Sequence, residues 1–241
     1  EKKSQEEVKM TKALVGLSGG QDSATCAAWA KTMFDEVHAI SFNYNQRHKK
    51  ELDAAQRIAE RLGIPWELLD MPVLKGNKTS GLTDKSISVN ETDPKTGLPK
   101  SFVPGRNLLF LNAAGSYAIS RGIFDLVTGV CQTDYSGYPD CRRHTIDHIE
   151  SSIFCGNEEI IKSGPGHFFI HTPLMYLTKA ESVTLASRLP HGMDVVKMSW
   201  TCYEGGSVPC GKCPACDLRI KGFKEAGVVD PGIAYWEGMN G

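Results

Sequence analysis

Four cysteines fall within fifteen residues near the C-terminus, spaced Cys202-x7-Cys210-x2-Cys213-x2-Cys216. A C-x-x-C step lets two thiolates hold one ion. Four thiolates in so short a span suit tetrahedral zinc, with an iron–sulfur cluster as the competing chemistry. Gly211, inside Cys210-Gly-Lys-Cys213, supports the tight turn that such a step needs. Protein would fill all four positions and leave none for water, so the expected role is structural, pinning a C-terminal segment to the rest of the chain. Cys26, Cys131, Cys141 and Cys155 lack this spacing and read as buried thiols, and the seven histidines show no metal-pair spacing.

A second constellation is Ser18-Gly19-Gly20-Gln21-Asp22-Ser23, placed between a short apolar run and a helical pattern. Backbone N–H groups at such a strand-to-helix turn lack intrahelical partners, and the helix dipole adds positive potential. Two glycines let the main chain approach an anion closely, which makes a phosphate cradle. Ser18 and Ser23 add hydroxyl donors. Asp22 repels phosphate, so it either caps the helix or reaches a magnesium ion. The loop lacks the Gly-Lys-[Ser/Thr] end of a Walker loop and is no G-x-G-x-x-G fingerprint.

Three further segments carry polar groups. Val130-Cys-Gln-Thr-Asp-Tyr-Ser-Gly-Tyr-Pro-Asp-Cys-Arg142 offers carboxylates (Asp134, Asp140), aromatic faces (Tyr135, Tyr138) and a cation (Arg142). That inventory suits a purine-like acid, because a guanine edge needs an acceptor and a carboxylate needs a guanidinium; a solvated polar turn would look the same. Arg106, in Val103-Pro-Gly-Arg-Asn107, either clamps an anion or sits in a plain turn. Lys179 lies near a helix start, where the dipole disfavours a cation unless an anion is close; a surface lysine is the alternative. Gln46-Arg47-His48 follows the second apolar run.

The elements that must position these groups alternate. Ala13–Leu17, Val37–Phe42, Trp66–Met71, Leu126–Val130 and Phe168–His171 read as strands. Helical spacing covers Ala24–Phe34, Lys49–Leu62, Asn107–Ser120, Arg143–Cys155 and Lys179–Arg188, with Leu108, Leu111, Ala114 and Ala118 expected inward. Alternation of this kind predicts an α/β fold with an open, doubly wound, mostly parallel five-stranded sheet. The stretch from Pro72 to Pro104 is too long and polar for an ordinary connection. The chain has 241 residues, 41% of them hydrophobic and 23% charged, the mix of a globular protein. Its net charge of −1 offers no general attraction for nucleic acid. No apolar run reaches the ~18 residues of a membrane span. The polar start carries no apolar signal core and, with cysteines better explained as ligands or thiols than as disulfides, points to the cytoplasm.

In this order, Ser18–Ser23, Gln46-Arg47-His48, Phe102–Phe110, Thr128–Arg142, Thr172–Glu181 and the cysteine cluster resemble the QueC family, the 7-cyano-7-deazaguanine synthases. The glycine loop alone resembles the pyrophosphate loop of the wider N-type ATP pyrophosphatase superfamily. The resemblance implies an adenine nucleotide alpha hydrolase-like fold and the ATP-dependent conversion of 7-carboxy-7-deazaguanine and ammonia to the nitrile. It implies ATP bound at Leu17, Ser18, Gly19, Gly20, Gln21, Asp22, Ser23, Ala24, Thr25, Cys26 and Ala27, with Arg47 from the second sheet-edge turn. Asp22, Lys179 and Arg106 are the expected catalytic groups, with Mg²⁺ as helper. The segment holding Asp134, Tyr135, Tyr138, Asp140 and Arg142 would face the deazaguanine, and zinc would sit on Cys202, Cys210, Cys213 and Cys216. The loop type favours AMP and pyrophosphate as products, whereas the family is often written with ADP and phosphate. Residues 1–12 are expected to form a flexible extension, 13–198 the nucleotide-binding domain and 199–241 the zinc-binding segment, in a homodimer. A relative acting on tRNA would need a basic face, which the charge balance argues against.

Overall fold

Three successive side chains of β1 (Lys12–Gly16), Ala13, Leu14 and Val15, are fully buried. A strand buried on both faces is the centre of a parallel sheet covered by helices on both sides. The computed structural model, which describes residues 10–76, 78–133, 138–162 and 165–239, has this arrangement. β1 pairs in parallel with β2 (Glu36–Asn43) on one side and β4 (Asp125–Val127) on the other. β3 (Trp66–Asp70) extends the sheet beyond β2, and β5 (Phe169–His171) beyond β4. The order is β3-β2-β1-β4-β5, with every pairing parallel, as the alternation predicts.

The two faces sort by strand periodicity. Ala13 and Val15 enter one core with Ala24 and Ala27 of α1 (Gln21–Met33), Ala55 and Ile58 of α2 (Lys50–Leu62), and Val195 of α7 (Gly192–Met198). Leu14 enters the other with Leu111 and Ala114 of α3 (Arg106–Ile119) and Ile146 and Ile149 of α4 (Arg143–Cys155). α2 ends at Gly63, whose φ of +63° is the left-handed cap that glycine adopts cheaply. α5 (Glu158–Lys162) precedes β5, and α6 (Lys179–Arg188) starts from a Thr178–Glu181 capping box.

Several boundaries differ from expectation. α1 begins at Gln21 rather than Ala24, so Gln21, Asp22 and Ser23 are its first turn. β4 stops at Val127, because the chain then turns toward α1. A Cβ on Gly129 would lie 3.0 Å from the Asp22 carbonyl carbon and the Ser23 nitrogen. Leu108, expected inward on α3, is exposed, while Leu111, Ala114 and Ala118 are buried. α8 (Pro214–Ala226) and α9 (Gly232–Gly238) were not legible in the glycine-, proline- and cysteine-rich C-terminal segment. α8 packs on α6 and α9 on α7, which brings the cysteine segment back against the main layer. Residues 1–9 of the expected extension lie outside the described residues.

Candidate active site

The chain builds β1, β2 and β3 outward, then crosses back over β1 to build β4 and β5. Loops leaving β1 and β4 therefore diverge at neighbouring carboxyl ends, where open parallel sheets hold ligands. A cavity of about 770 Å³ opens there. Its walls include Leu17, Ser18, Gly20, Gln21, Asp22, Ser23, Arg47, Arg106, Tyr138 and Lys179, all singled out from the sequence. The long segment after β3 supplies another wall through Leu82, Val89, Glu91 and Ser101.

The glycine loop is held from both sides. Gly19 has φ +88°, and a Cβ there would lie 1.9 Å from the Glu51 carbonyl oxygen, so only glycine fits against α2. The Gly19 carbonyl accepts a hydrogen bond from the Trp200 N–H at 2.8 Å. Ser18 Oγ donates to Ser23 Oγ, which donates to the Gly20 carbonyl, both at 3.0 Å. The Gly20 N-cap of α1 has no side-chain cap, so Asp22 does not serve in that way. Both Gln21 amide atoms are buried without a hydrogen-bond partner among the described residues. Such a group is costly in an empty cavity and is satisfied by a polar ligand. Ala24, Thr25, Cys26 and Ala27 lie fully inside the helix layer and support the loop from beneath, rather than lining the cavity.

Asp22 meets Lys179. The ammonium donates to both carboxylate oxygens, at 2.9 and 2.7 Å, from the opposite wall. Gly222 of α8 makes room for that lysine, since a Cβ there would lie 2.4 Å from Lys179 Cγ. Arg106, by contrast, has no carboxylate within ion-pair distance among the described residues. Its hydrogen bond is to the Tyr44 hydroxyl at 3.5 Å. Arg47 faces the cavity but is engaged, donating to the Gly81 and Ile87 carbonyls and lying 3.7 Å from Glu204. It thereby anchors the long segment.

The segment after β4 divides. Asp134 and Tyr135 lie outside the described residues. Tyr138 lines the cavity, its hydroxyl 2.7 Å from Ser101 Oγ. Asp140 instead turns inward and accepts from the Asn107 N–H at 3.1 Å, capping the start of α3. The Arg142 side chain is exposed and is not part of the cavity wall.

Sequence reasoning passed over Tyr44, Glu51 and Tyr203, which also line the cavity. Burial pushes the Glu51 carboxyl up to about 7, against the opposing pull of Arg106. Burial also raises the Tyr44 and Tyr203 hydroxyls, which keeps both neutral. Glu51 is hard to find in sequence because a glutamate in the first turn of an amphipathic helix reads as a solvated charge favoured by the dipole.

The four cysteine sulfurs lie within 4.8 Å of one another, close enough to share one metal ion. Cys202 Sγ accepts from the Cys210 and Glu204 N–H groups at 3.3 and 3.4 Å. Hydrogen bonding from Cys213 and Cys216, then from these backbone donors, holds Cys202 well below the ordinary thiol range. Cys213 is the N-cap of α8, where the dipole favours a thiolate. Gly211 adopts φ +68° in the intervening turn. The donor set fits a thiophilic ion.

The described residues contain no helix long and apolar enough to cross a membrane. A family model described as "Queuosine biosynthesis protein QueC" matches residues 12–227. A 7-cyano-7-deazaguanine synthase of Laribacter hongkongensis is 49% identical over 220 residues, covering 91% of this chain and 93% of its own. Proteins with that name from Chromobacterium violaceum and Bacillus subtilis are 48% and 45% identical, covering 92% and 96% of their own lengths and 91% and 90% of this chain. With the match running from β1 to the end of α8, the chain belongs to the QueC family.

Proposed function

We propose that this chain is an enzyme that converts 7-carboxy-7-deazaguanine and ammonia to 7-cyano-7-deazaguanine at the expense of ATP. One observation carries the reading: the glycine loop, the Asp22–Lys179 pair and the Arg106 guanidinium, which has no carboxylate in ion-pair distance among the described residues, face one cavity at the switch point of the sheet. The relatives' names are its second support.

A carboxylate is a poor electrophile, so one oxygen must first become a leaving group. Its attack on an ATP phosphorus does this, and the expelled phosphate charge must be neutralised. The N–H groups around Gly20 and the Lys179 ammonium would take the phosphate tail, and the Gln21 amide would find its partners there. Asp22 is the residue that would hold Mg²⁺, whose charge would add to that neutralisation. Arg106 would hold the substrate carboxylate and Tyr138 would offer a face to the ring. Asp134 and Tyr135 remain candidates for the deazaguanine edge, whereas Asp140 and Arg142 have the structural and exposed positions described above. Ammonia then yields an amide, and activating the amide oxygen in the same manner permits dehydration to the nitrile. Zinc is the ion proposed for Cys202, Cys210, Cys213 and Cys216, and the family resemblance supports a cytoplasmic homodimer.

Incubation with ATP, Mg²⁺, ammonium and 7-carboxy-7-deazaguanine should give the nitrile by mass spectrometry. Lys179→Ala should lower its formation by about 100-fold or more and leave the bound metal unchanged. Absence of product in the parent chain would overturn the function, and full activity in the variant would overturn the role of Lys179.

A further inference from the structure

Ammonia enters this reaction with three N–H bonds and leaves as a nitrile nitrogen with none. Attack of NH3 on the activated acyl carbon forms C–N, breaks C–O, releases the phosphate-bearing group and frees one proton. The amide oxygen then attacks a phosphorus of a second nucleotide, breaking that phosphorus's bond to the departing phosphate group, and the nitrogen becomes cationic. Breaking that C–O bond with loss of both remaining N–H protons gives the nitrile, and an incoming ammonium adds one proton more. A site doing this needs a proton acceptor that is part neutral and part ionised near neutral pH.

The cavity holds few candidates. Asp22 is held by Lys179, and Glu91 is held by Lys100. Tyr44 and Tyr203 are kept protonated by burial. Burial disfavours the protonated form of His48, whose Nδ1 has no partner among the described residues, so this imidazole holds a proton less well than an ordinary histidine. Asp217 is exposed at the rim. Glu51 remains: it lines the cavity, is neither fully exposed nor sealed, and has no hydrogen bond or ion pair to its carboxylate among the described residues. The charge acting on it is the Arg106 guanidinium from α3, and it in turn acts on Tyr44 and Tyr203. Among the described residues Arg106 has no carboxylate in ion-pair distance, and its charge reaches Glu51, so a substrate carboxylate held by Arg106 would lie in the part of the cavity that both groups face.

Building on the function proposed above, we infer that the Glu51 carboxylate is the general base that takes the protons lost by nitrogen, passing each to solvent through the cavity mouth. Glu51 ionises at about 7, the range in which a base both accepts and releases protons at neutral pH.

The test separates activation from nitrogen chemistry, because forming the activated acid removes no proton from nitrogen. Single-turnover release of the ATP leaving group and nitrile formation are followed for the parent chain, Glu51→Gln and Glu51→Asp across pH. Glu51→Gln should keep acid-dependent ATP cleavage within about threefold while nitrile formation falls by about 100-fold or more. At constant free NH3, the parent's nitrile rate should climb through an apparent pKa of about 7. That limb should vanish in Glu51→Gln and return, at reduced rate, in Glu51→Asp. Equal loss of both steps makes Glu51 a positioning residue and overturns the inference, as does an unchanged nitrile rate. A parent chain that makes no nitrile sinks the underlying function; a parent and a Gln variant that make it equally well sink the base alone.

Discussion

A carboxyl group that ionises less readily in the folded chain than in the unfolded one ties stability to pH. Glu51 is such a group, raised from 4.5 to about 7. Between those values the folded state keeps a proton that the unfolded chain has released. Its contribution is therefore complete below the unfolded value and is lost as pH rises through about 7. Glu51→Gln never bears the charge. In urea melts the variant should match the parent near pH ~5 and exceed it by about 1–2 kcal/mol near pH ~8, the full shift being discounted because the side chain is partly open to solvent. A difference that does not change with pH would mean that the carboxyl ionises normally. The same burial thus costs stability and supplies a base, the trade expected where function overrides packing.

Trp200 shows how elements transmit such constraints. Its side chain is fully buried, its ring meets Trp236 edge-on at 4.9 Å, and Lys50 of α2 lies over it at 4.6 Å. Its N–H holds Gly19 in the glycine loop, and its Nε1 donates to the Cys202 carbonyl at 2.7 Å. Trp200→Ala should cost about 3–5 kcal/mol in denaturant unfolding. Trp200→Phe, which loses the Nε1 donor to Cys202 but keeps most of the ring volume, should cost less and retain more ATP affinity, the backbone N–H to Gly19 being present in both variants; equal losses would remove the coupling between ring and loop. None of this was legible in the sequence, where Trp200 is one apolar residue before the cysteines. All five strands were legible, because buried parallel strands are short apolar runs between polar turns. The glycine loop, Asp22, Lys179 and Arg106 were legible as residue types, but the Asp22–Lys179 bond spans 157 positions and only the fold brings it together. α8 escaped notice because its start at Pro214 lies among the cysteines, Gly222 interrupts its pattern and its buried face carries Arg219. That guanidinium binds both oxygens of Asp230 at 2.6 and 2.8 Å, an internal ion pair that no apolar periodicity reveals.

Across the whole molecule, Trp200 joins the glycine loop to the cysteine cluster, its backbone N–H on Gly19 and its ring in the core around the cysteines. Ala54 of α2, Trp200, Trp236 and three of the four cysteines share one core, and α8 runs from Cys213 past Lys179 at Gly222. An ion holding the four sulfurs would therefore fix the start of α8, the backing of Lys179 and, through Trp200, the Gly19 turn. Elemental analysis should find one zinc per chain; a visible iron–sulfur absorbance would replace zinc by the competing cluster. Stripping the ion with a chelator should lower the melting temperature, since binding to a folded site contributes folding energy. Hydrogen exchange locates the effect. Amides from Trp200 to Ala226 should lose protection, and so should Gly19 and Gly20. The core strand β1 and the opposite layer of α3 and α4, which pack in a separate cluster, should keep theirs. Exchange confined to the cysteine segment would show that the loop stands without it, and an unchanged melt would show that the four thiols need no metal.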